Sequence, residues 1–149
     1  MRLPRIEISA GAYLGAALAV LMLPINWLAG WLIAVTVHEC GHITAMWLCH
    51  IPIREIEIGP FGAKISAPEL TPKQELMCAA AGPMCSFLLI VTAGWFPAAA
   101  LIGTVQGLYN LLPVYPLDGG RIARAILFVI REKWDGRKIP CKDRYLRVQ

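Results

Sequence analysis

Trp31-Leu32-Ile33-Ala34-Val35-Thr36-Val37-His38-Glu39-Cys40-Gly41-His42 sets two histidines and a glutamate at the end of an unbroken apolar run. Residues four apart on a helix share a face, so the imidazoles of His38 and His42 can reach one metal ion. Glu39 lies beside them, placed to touch a water on that metal. Cys40 and Gly41 turn the other way. The run itself is unusual, because from Ile8 to Val37 there is no Asp, Glu, Lys or Arg. A helix needs roughly 20 apolar residues to cross the hydrocarbon core, and this run holds more than one crossing. An acidic residue in mid-span costs on the order of 2.5–3.5 kcal/mol or more, so ionisable groups there usually mark function.

A second run, Leu76 to Leu117, carries no charge over 42 residues. Together the two runs leave the 149-residue chain 57% hydrophobic and only 16% charged, with a mean hydropathy of +0.57. Soluble domains carry about 25% charged residues. A soluble globular protein is excluded. The reading is an all-α polytopic membrane protein, one membrane-embedded domain over residues 1–149, with about four transmembrane helices at 8–23, 27–49, 75–96 and 98–130. The start, Met1-Arg2-Leu3-Pro4-Arg5, imitates a secretory signal, whose apolar region is about 7–15 residues. Here the apolar character continues to Val37, which reads as an anchor.

The net charge of +4 resides in the tail, where residues 131–149 hold seven basic and three acidic side chains. Arg2 and Arg5, then Arg54, Lys64 and Lys73, then this tail fall on one side of the four spans, while the turns near Pro24 and Gly94 are uncharged. Positive residues stay cytoplasmic, so both termini and the 50–75 loop are expected inside. Basic tails also suit anionic lipid; no aromatic-interleaved platform points to nucleic acid. Within the loop, Ile56 and Ile58 alternate with Glu55 and Glu57. After Gly59-Pro60, Phe61, Ala63 and Ile65 alternate with Gly62, Lys64 and Ser66. Alternation around a Gly-Pro turn suggests a short membrane-associated β-hairpin, with an irregular amphipathic loop as the other reading.

Two histidines leave zinc short of ligands, since a catalytic site typically has three protein ligands plus water. The acidic candidate inside the second apolar stretch is Asp118, in Asn110-Leu111-Leu112-Pro113-Val114-Tyr115-Pro116-Leu117-Asp118-Gly119-Gly120-Arg121. Pro113 and Pro116 remove backbone donors and disfavour helix at the residues before them. The fourth span is therefore expected to be partly unwound, which a membrane tolerates only where protein or water surrounds the backbone. Spans two and four run in the same direction, and helical rise puts His42 and Asp118 roughly 12 and 20 Å from the cytosolic side. The ligands can meet. Arg121 and Arg124 beyond Asp118 suggest a wet cleft, which hydrolysis requires.

At these two motifs the sequence resembles the site-2 protease family of intramembrane zinc metalloproteases. His38-Glu39-Cys40-Gly41-His42 and the Asn110 to Gly119 segment match its defining pair, Ala81-Gly82-Pro83 is similar to its A-G-P element, and Pro60-Phe61-Gly62 to the P-F-G of its hairpin. The resemblance implies that His38, His42 and Asp118 hold Zn2+, that Glu39 is the general base, and that Asn110 holds or polarises the substrate. It also implies a membrane-associated protein substrate, and membrane proteins that inhibit or activate cleavage as partners. The length leaves no room for the PDZ insert of some members or the regulatory domain of others. That compactness is closest to the stage IV sporulation protein FB branch, whose members process a membrane-associated sigma-factor precursor. An inactive zinc-binding regulator and a small transporter or channel subunit are the alternatives.

The remaining polar residues read as structural. Cys40, Cys49, Cys78, Cys85 and Cys141 contain no C-x-x-C and read as packing thiols. His50 reads as a solvated or capping residue, and Ala79, Ala80, Ala81, Gly82 and Ser86 as small residues that let the third helix pack closely. Tyr115 reads as packing between its two prolines.

Overall fold

The computed structural model describes residues 5–59, 62–68 and 70–135. Arg2, Pro60, Phe61, Cys141 and the basic tail beyond Asp135, on which several sequence expectations rest, lie outside the described residues. The chain opens with strand β1 (Arg5–Ile8) and helix α1 (Ala10–Met22). Helix α2 (Ile25–Leu48), strands β2 (Glu55–Gly59) and β3 (Gly62–Ser66), and helices α3 (Pro72–Leu88), α4 (Pro97–Asn110) and α5 (Asp118–Asp135) follow. A turn of 3-10 helix, Leu89–Thr92, extends α3.

Local chemistry sets these boundaries. Ser9 caps α1 by accepting the Ala12 N–H at 3.3 Å. Helix α2 ends where His50 adopts a φ of 54°, and Ile51 N–H then reaches back to the Met46 carbonyl at 2.9 Å. This back-bonding satisfies a carbonyl the helix end leaves open, and gives the exposed His50 the capping place expected for it. At the start of α3, Thr71 Oγ1 accepts the Gln74 N–H at 3.3 Å while Gln74 Oε1 accepts the Thr71 N–H at 3.0 Å. Pro72 fills the first helical position, where its missing N–H costs nothing.

Helix lies where each apolar segment was expected, with three corrections. Among the described residues one helix, Pro72–Thr92, is long and apolar enough to cross a membrane alone. Helix α1 has only 13 residues, and α2 has 24 but interrupts its apolar sequence with His38, Glu39 and His42. The fourth segment is two helices: α4 stops at Asn110, α5 begins at Asp118, and the connection containing Pro113 and Pro116 is non-helical. Ile8, read as the first residue of a span, instead ends β1 and pairs with Ile58. The period-two alternation of Arg5, Ile6, Glu7 and Ile8 is four residues long and is masked by the apolar run behind it.

The hairpin is present as β2 antiparallel to β3, with Gly59 opposite Gly62, and β1 adds in parallel to give the order β1-β2-β3. Ile65 of β3 packs on a cluster of Met46, Ile51 and Cys78 that fastens the sheet to α2 and α3. Helices α2 and α3 cross closely at Gly41, where a Cβ would stand 2.7 Å from the Ala81 carbonyl oxygen. The expected close packing of the Ala79–Gly82 stretch is what meets it.

Burial is inverted relative to a soluble protein. Leu14, Leu18, Leu21, Leu32, Leu88 and Leu101 are all at least half exposed, whereas His38, His42, Glu75, Ser86 and Asp118 are 8% exposed or less. Water would make that arrangement costly on both counts; a hydrocarbon surround removes the first cost, and pairing inside the bundle offsets the second.

Candidate metal centre

Two helices deliver the three candidate ligands. His38 and His42 project from adjacent turns of α2, and Asp118 stands at the first position of α5, just after the proline-broken connection. Their ligand atoms lie within 4.8 Å of one another and all three residues are buried. His38 Nε2 and His42 Nε2 are 3.2 Å apart, and Asp118 Oδ2 stands 3.3 Å from the first and 3.2 Å from the second. Two ligands held at ~2.0–2.1 Å from a tetrahedral zinc are themselves about 3.3 Å apart. The triangle has the size of one face of that tetrahedron.

The outer nitrogens of the imidazoles are also occupied. His42 Nδ1 meets the Cys78 carbonyl oxygen at 2.8 Å; a carbonyl only accepts, so Nδ1 carries the proton and Nε2 keeps its lone pair turned inward. His38 Nδ1 pairs with the fully buried Ser86 hydroxyl at 2.9 Å. Both partners come from α3. Gly82, on the same helix, lies under the His42 ring so closely that a Cβ there would overlap Nε2 and Cε1. Two imidazoles and a carboxylate, with orientation fixed from behind, fit a divalent zinc ion.

Glu39 is placed differently. Its Oε1 accepts the Ala63 N–H at 3.0 Å, while Oε2 is buried with no hydrogen-bond partner among the described residues. It stays outside the three-residue ligand group, with one carboxylate oxygen uncommitted among the described residues. Asn110, the last residue of α4, brings Nδ2 to 3.4 Å from His38 Nε2. Four of the five residues singled out in the sequence, His38, His42, Asp118 and Asn110, thus meet one another, and Glu39 follows His38 on α2. Cys40 is exposed, and Cys40, Cys49, Cys78 and Cys85 are all unpaired. Tyr115 is 64% exposed, with the Arg124 guanidinium 5.6 Å from its ring centroid.

Sequence reasoning missed several supporting groups. Ser86 and Cys78 read as packing residues, but the first supplies a hydroxyl and the second its backbone carbonyl to the imidazoles. Glu75 is 4% exposed and pairs with Arg121 Nε at 3.4 Å and Arg124 Nη2 at 3.0 Å. The two arginines are therefore bound to a buried carboxylate, where the sequence suggested only a wet cleft. A charge one turn inside a capped helix was the available signal for Glu75. Nothing in a sequence marks a backbone carbonyl.

Comparison with known proteins adds a family to this geometry. The model of peptidase family M50 matches residues 93–140. The zinc metalloprotease MJ0392 of Methanocaldococcus jannaschii is 30% identical over 109 residues, 64% of this chain and 32% of that protein. Rip3 of Mycobacterium tuberculosis is 30% identical over 116 residues, 65% of this chain and 30% of its own. The solved site-2 protease from Methanocaldococcus jannaschii superposes with a TM-score of 0.68 at 26% identity, covering 82% of this chain and 66% of that one. The family these matches support is peptidase M50. The chain spans about a third of the length of the curated relatives it matches. The M50 match contains Asn110, the proline-broken connection and Asp118, and leaves His38, Glu39 and His42 outside its limits. For that half of the site the buried triangle is the observation that counts.

Proposed function

We propose that this chain is a membrane-embedded zinc endopeptidase of the site-2 type, with His38, His42 and Asp118 as metal ligands. The observation that carries the reading is the 3.2–3.3 Å triangle of ligand atoms, enclosed by helices whose outward faces are apolar. A zinc ion bound there supplies Lewis-acid polarisation and makes water a competent nucleophile near neutral pH. Glu39, with Oε2 uncommitted, takes the proton of the attacking water and passes it to the departing amine. Asn110, whose Nδ2 stands 3.4 Å from His38 Nε2, holds the scissile carbonyl.

Residues 1–149 act as one domain with four membrane passages, the two halves of the fourth being α4 and α5. Both termini and the β-sheet face the cytoplasm of a bacterial cell. The substrate is a membrane-spanning or membrane-tethered regulatory protein, of which a sigma-factor precursor handled by the sporulation branch is one form. A transmembrane helix hides its carbonyls in its own hydrogen bonds, so the substrate must be extended where it is cut.

Among the described residues the outer edge of β3 pairs with no strand, and it suits such a segment. Ile58 gives its carbonyl to Ser9 N–H, on the β1 side, so its antiparallel partner Ala63 turns its own polar groups away from β2. The Ala63 N–H on that outer edge is the one that meets Glu39. A strand added there by main-chain pairing takes the Ala63 N–H over from Glu39 Oε1 and so runs past the base.

Co-expression with membrane-tethered precursors, comparing the wild type with Glu39→Gln, tests the reading. A product seen only with the wild type supports it; no product from any precursor, or equal product from both, opposes it.

A further inference from the structure

Helix α3 supplies more to the metal centre than a packing surface. Glu75, Cys78, Gly82 and Ser86 follow one another at i, i+3, i+7 and i+11, the spacing of a single helix face. Cys78 fixes His42 by its carbonyl, Gly82 makes room for that ring, and Ser86 fixes His38. Asp118 would be the one ligand without a tie to this face, except that Glu75 stands at its end. Arg121 connects the two: its Nε lies 3.4 Å from Glu75 Oε1, and its Nη1 lies 3.7 Å from Asp118 Oδ1.

We propose that Glu75 is a positioning residue of the metal centre, acting on Asp118 through Arg121. The proposal rests on the reading of His38, His42 and Asp118 as the ligand set. A carboxylate can offer either oxygen, or both, to a metal. Here Arg121 occupies the Oδ1 side and leaves Oδ2 facing both imidazoles. Arginine is long and rotamer-rich, and Arg121 is only partly covered, its side chain being 31% exposed. Glu75, with a side chain 5% exposed, anchors the guanidinium on the inner side and limits the positions from which Nη1 can meet Asp118. Arg124 binds the same Glu75 oxygen at 3.0 Å and lies against Tyr115 of the broken connection, so α5 and the segment leading into it are held to α3 by one carboxylate. Groups that orient a ligand from behind typically contribute 10–100-fold to metal affinity or activity.

The test uses the full chain in detergent, stripped of metal and titrated with zinc against a chromophoric chelator, beside the visible spectrum of the cobalt-loaded protein. Wild type should bind one equivalent. Glu75→Gln should bind roughly 10–100-fold more weakly, with a shifted cobalt spectrum. Arg121→Lys keeps the charge but lacks the fork that serves two carboxylates at once, and should weaken binding in the same direction. Combining the two should cost no more than the larger single loss. A purely architectural Glu75 would lower the melting temperature and leave zinc affinity and the cobalt spectrum unchanged. That result, or losses that simply add, overturns the proposal. If Glu75→Gln does not fold, Arg121→Lys reads the same link: wild-type zinc affinity in that variant refutes it. A wild type that binds no zinc overturns the ligand assignment and the proposal together, whereas one equivalent in wild type and an unaltered Glu75→Gln overturns the proposal alone.

Discussion

Gly82 measures how little space the metal centre leaves. Its missing side chain is where the His42 ring lies, and a Cβ would overlap that ring's Nε2. The neighbour is a ligand whose other nitrogen is already bound to the Cys78 carbonyl, so the ring cannot step aside without breaking that bond. Gly82→Ala should therefore release zinc while helix α3 persists, read as metal content against circular dichroism; full zinc retention would mean the ring has another place to go. Asp118 and Asn110 separate by role in the same way. Asp118→Ala removes one of three proposed ligands and should lower zinc content sharply. Asn110→Ala, whose side chain reaches His38 Nε2 only at 3.4 Å, should keep zinc near one equivalent and slow turnover. A tightly held equivalent in purified Asp118→Ala would contradict the ligand set.

Among the elements, β3 and the α4–α5 connection carry the functional geometry, and they differ in how readable they are. The connection was legible because two prolines within four residues cannot continue a helix; that it forms a complete break placing Asp118 at a helix start was not, since tertiary packing decides where helix resumes. The hairpin was legible from its alternation, whereas β1 was not, because four residues give too short a period against the apolar run that follows. The contact between Ala63 and Glu39 was invisible: it joins residues 24 apart through a backbone donor that every sequence supplies. Ile65 shares the outward edge with Ala63, two residues along β3. Pro is tolerated at such a position because the N–H it removes faces away from the partner strand. Ile65→Pro should raise KM for an extended membrane substrate; it also trims a side chain that packs on Met46, Ile51 and Cys78, so zinc content and melting temperature measured beside KM separate a lost edge donor from a loosened sheet. An unaltered KM would remove the edge from the proposed binding path.

The whole molecule is organised around polar groups that a membrane protein must keep inside. His38, His42, Asp118 and Ser86 are buried and bonded to one another or to backbone, and the buried Glu75 pairs with Arg121 and Arg124, while leucines cover the outside. The two charge-free runs made the membrane setting readable from composition. Pairing of Glu75 with arginines more than 40 residues away was not readable, because the sequence shows charges but not their partners. The proposed orientation, with both termini cytoplasmic, rests on basic residues falling on one side of the spans. Cys141 should accordingly react with a membrane-impermeant thiol reagent only after the cytoplasmic face is opened, and labelling of intact cells from outside would reverse the arrangement.

The central claim is that one carboxylate works on a metal it does not hold. Zinc content measured beside product formation, for wild type, Glu39→Gln and His38→Ala in the same detergent, tests it most directly. Glu39→Gln keeps both imidazoles and the shape of the side chain, so zinc should remain bound. A neutral amide cannot take the proton, and positioned proton transfer typically contributes ~10²–10⁴-fold in rate, so cleavage should collapse. His38→Ala should lose metal and activity together. Undiminished cleavage by a zinc-loaded Glu39→Gln would contradict the mechanism.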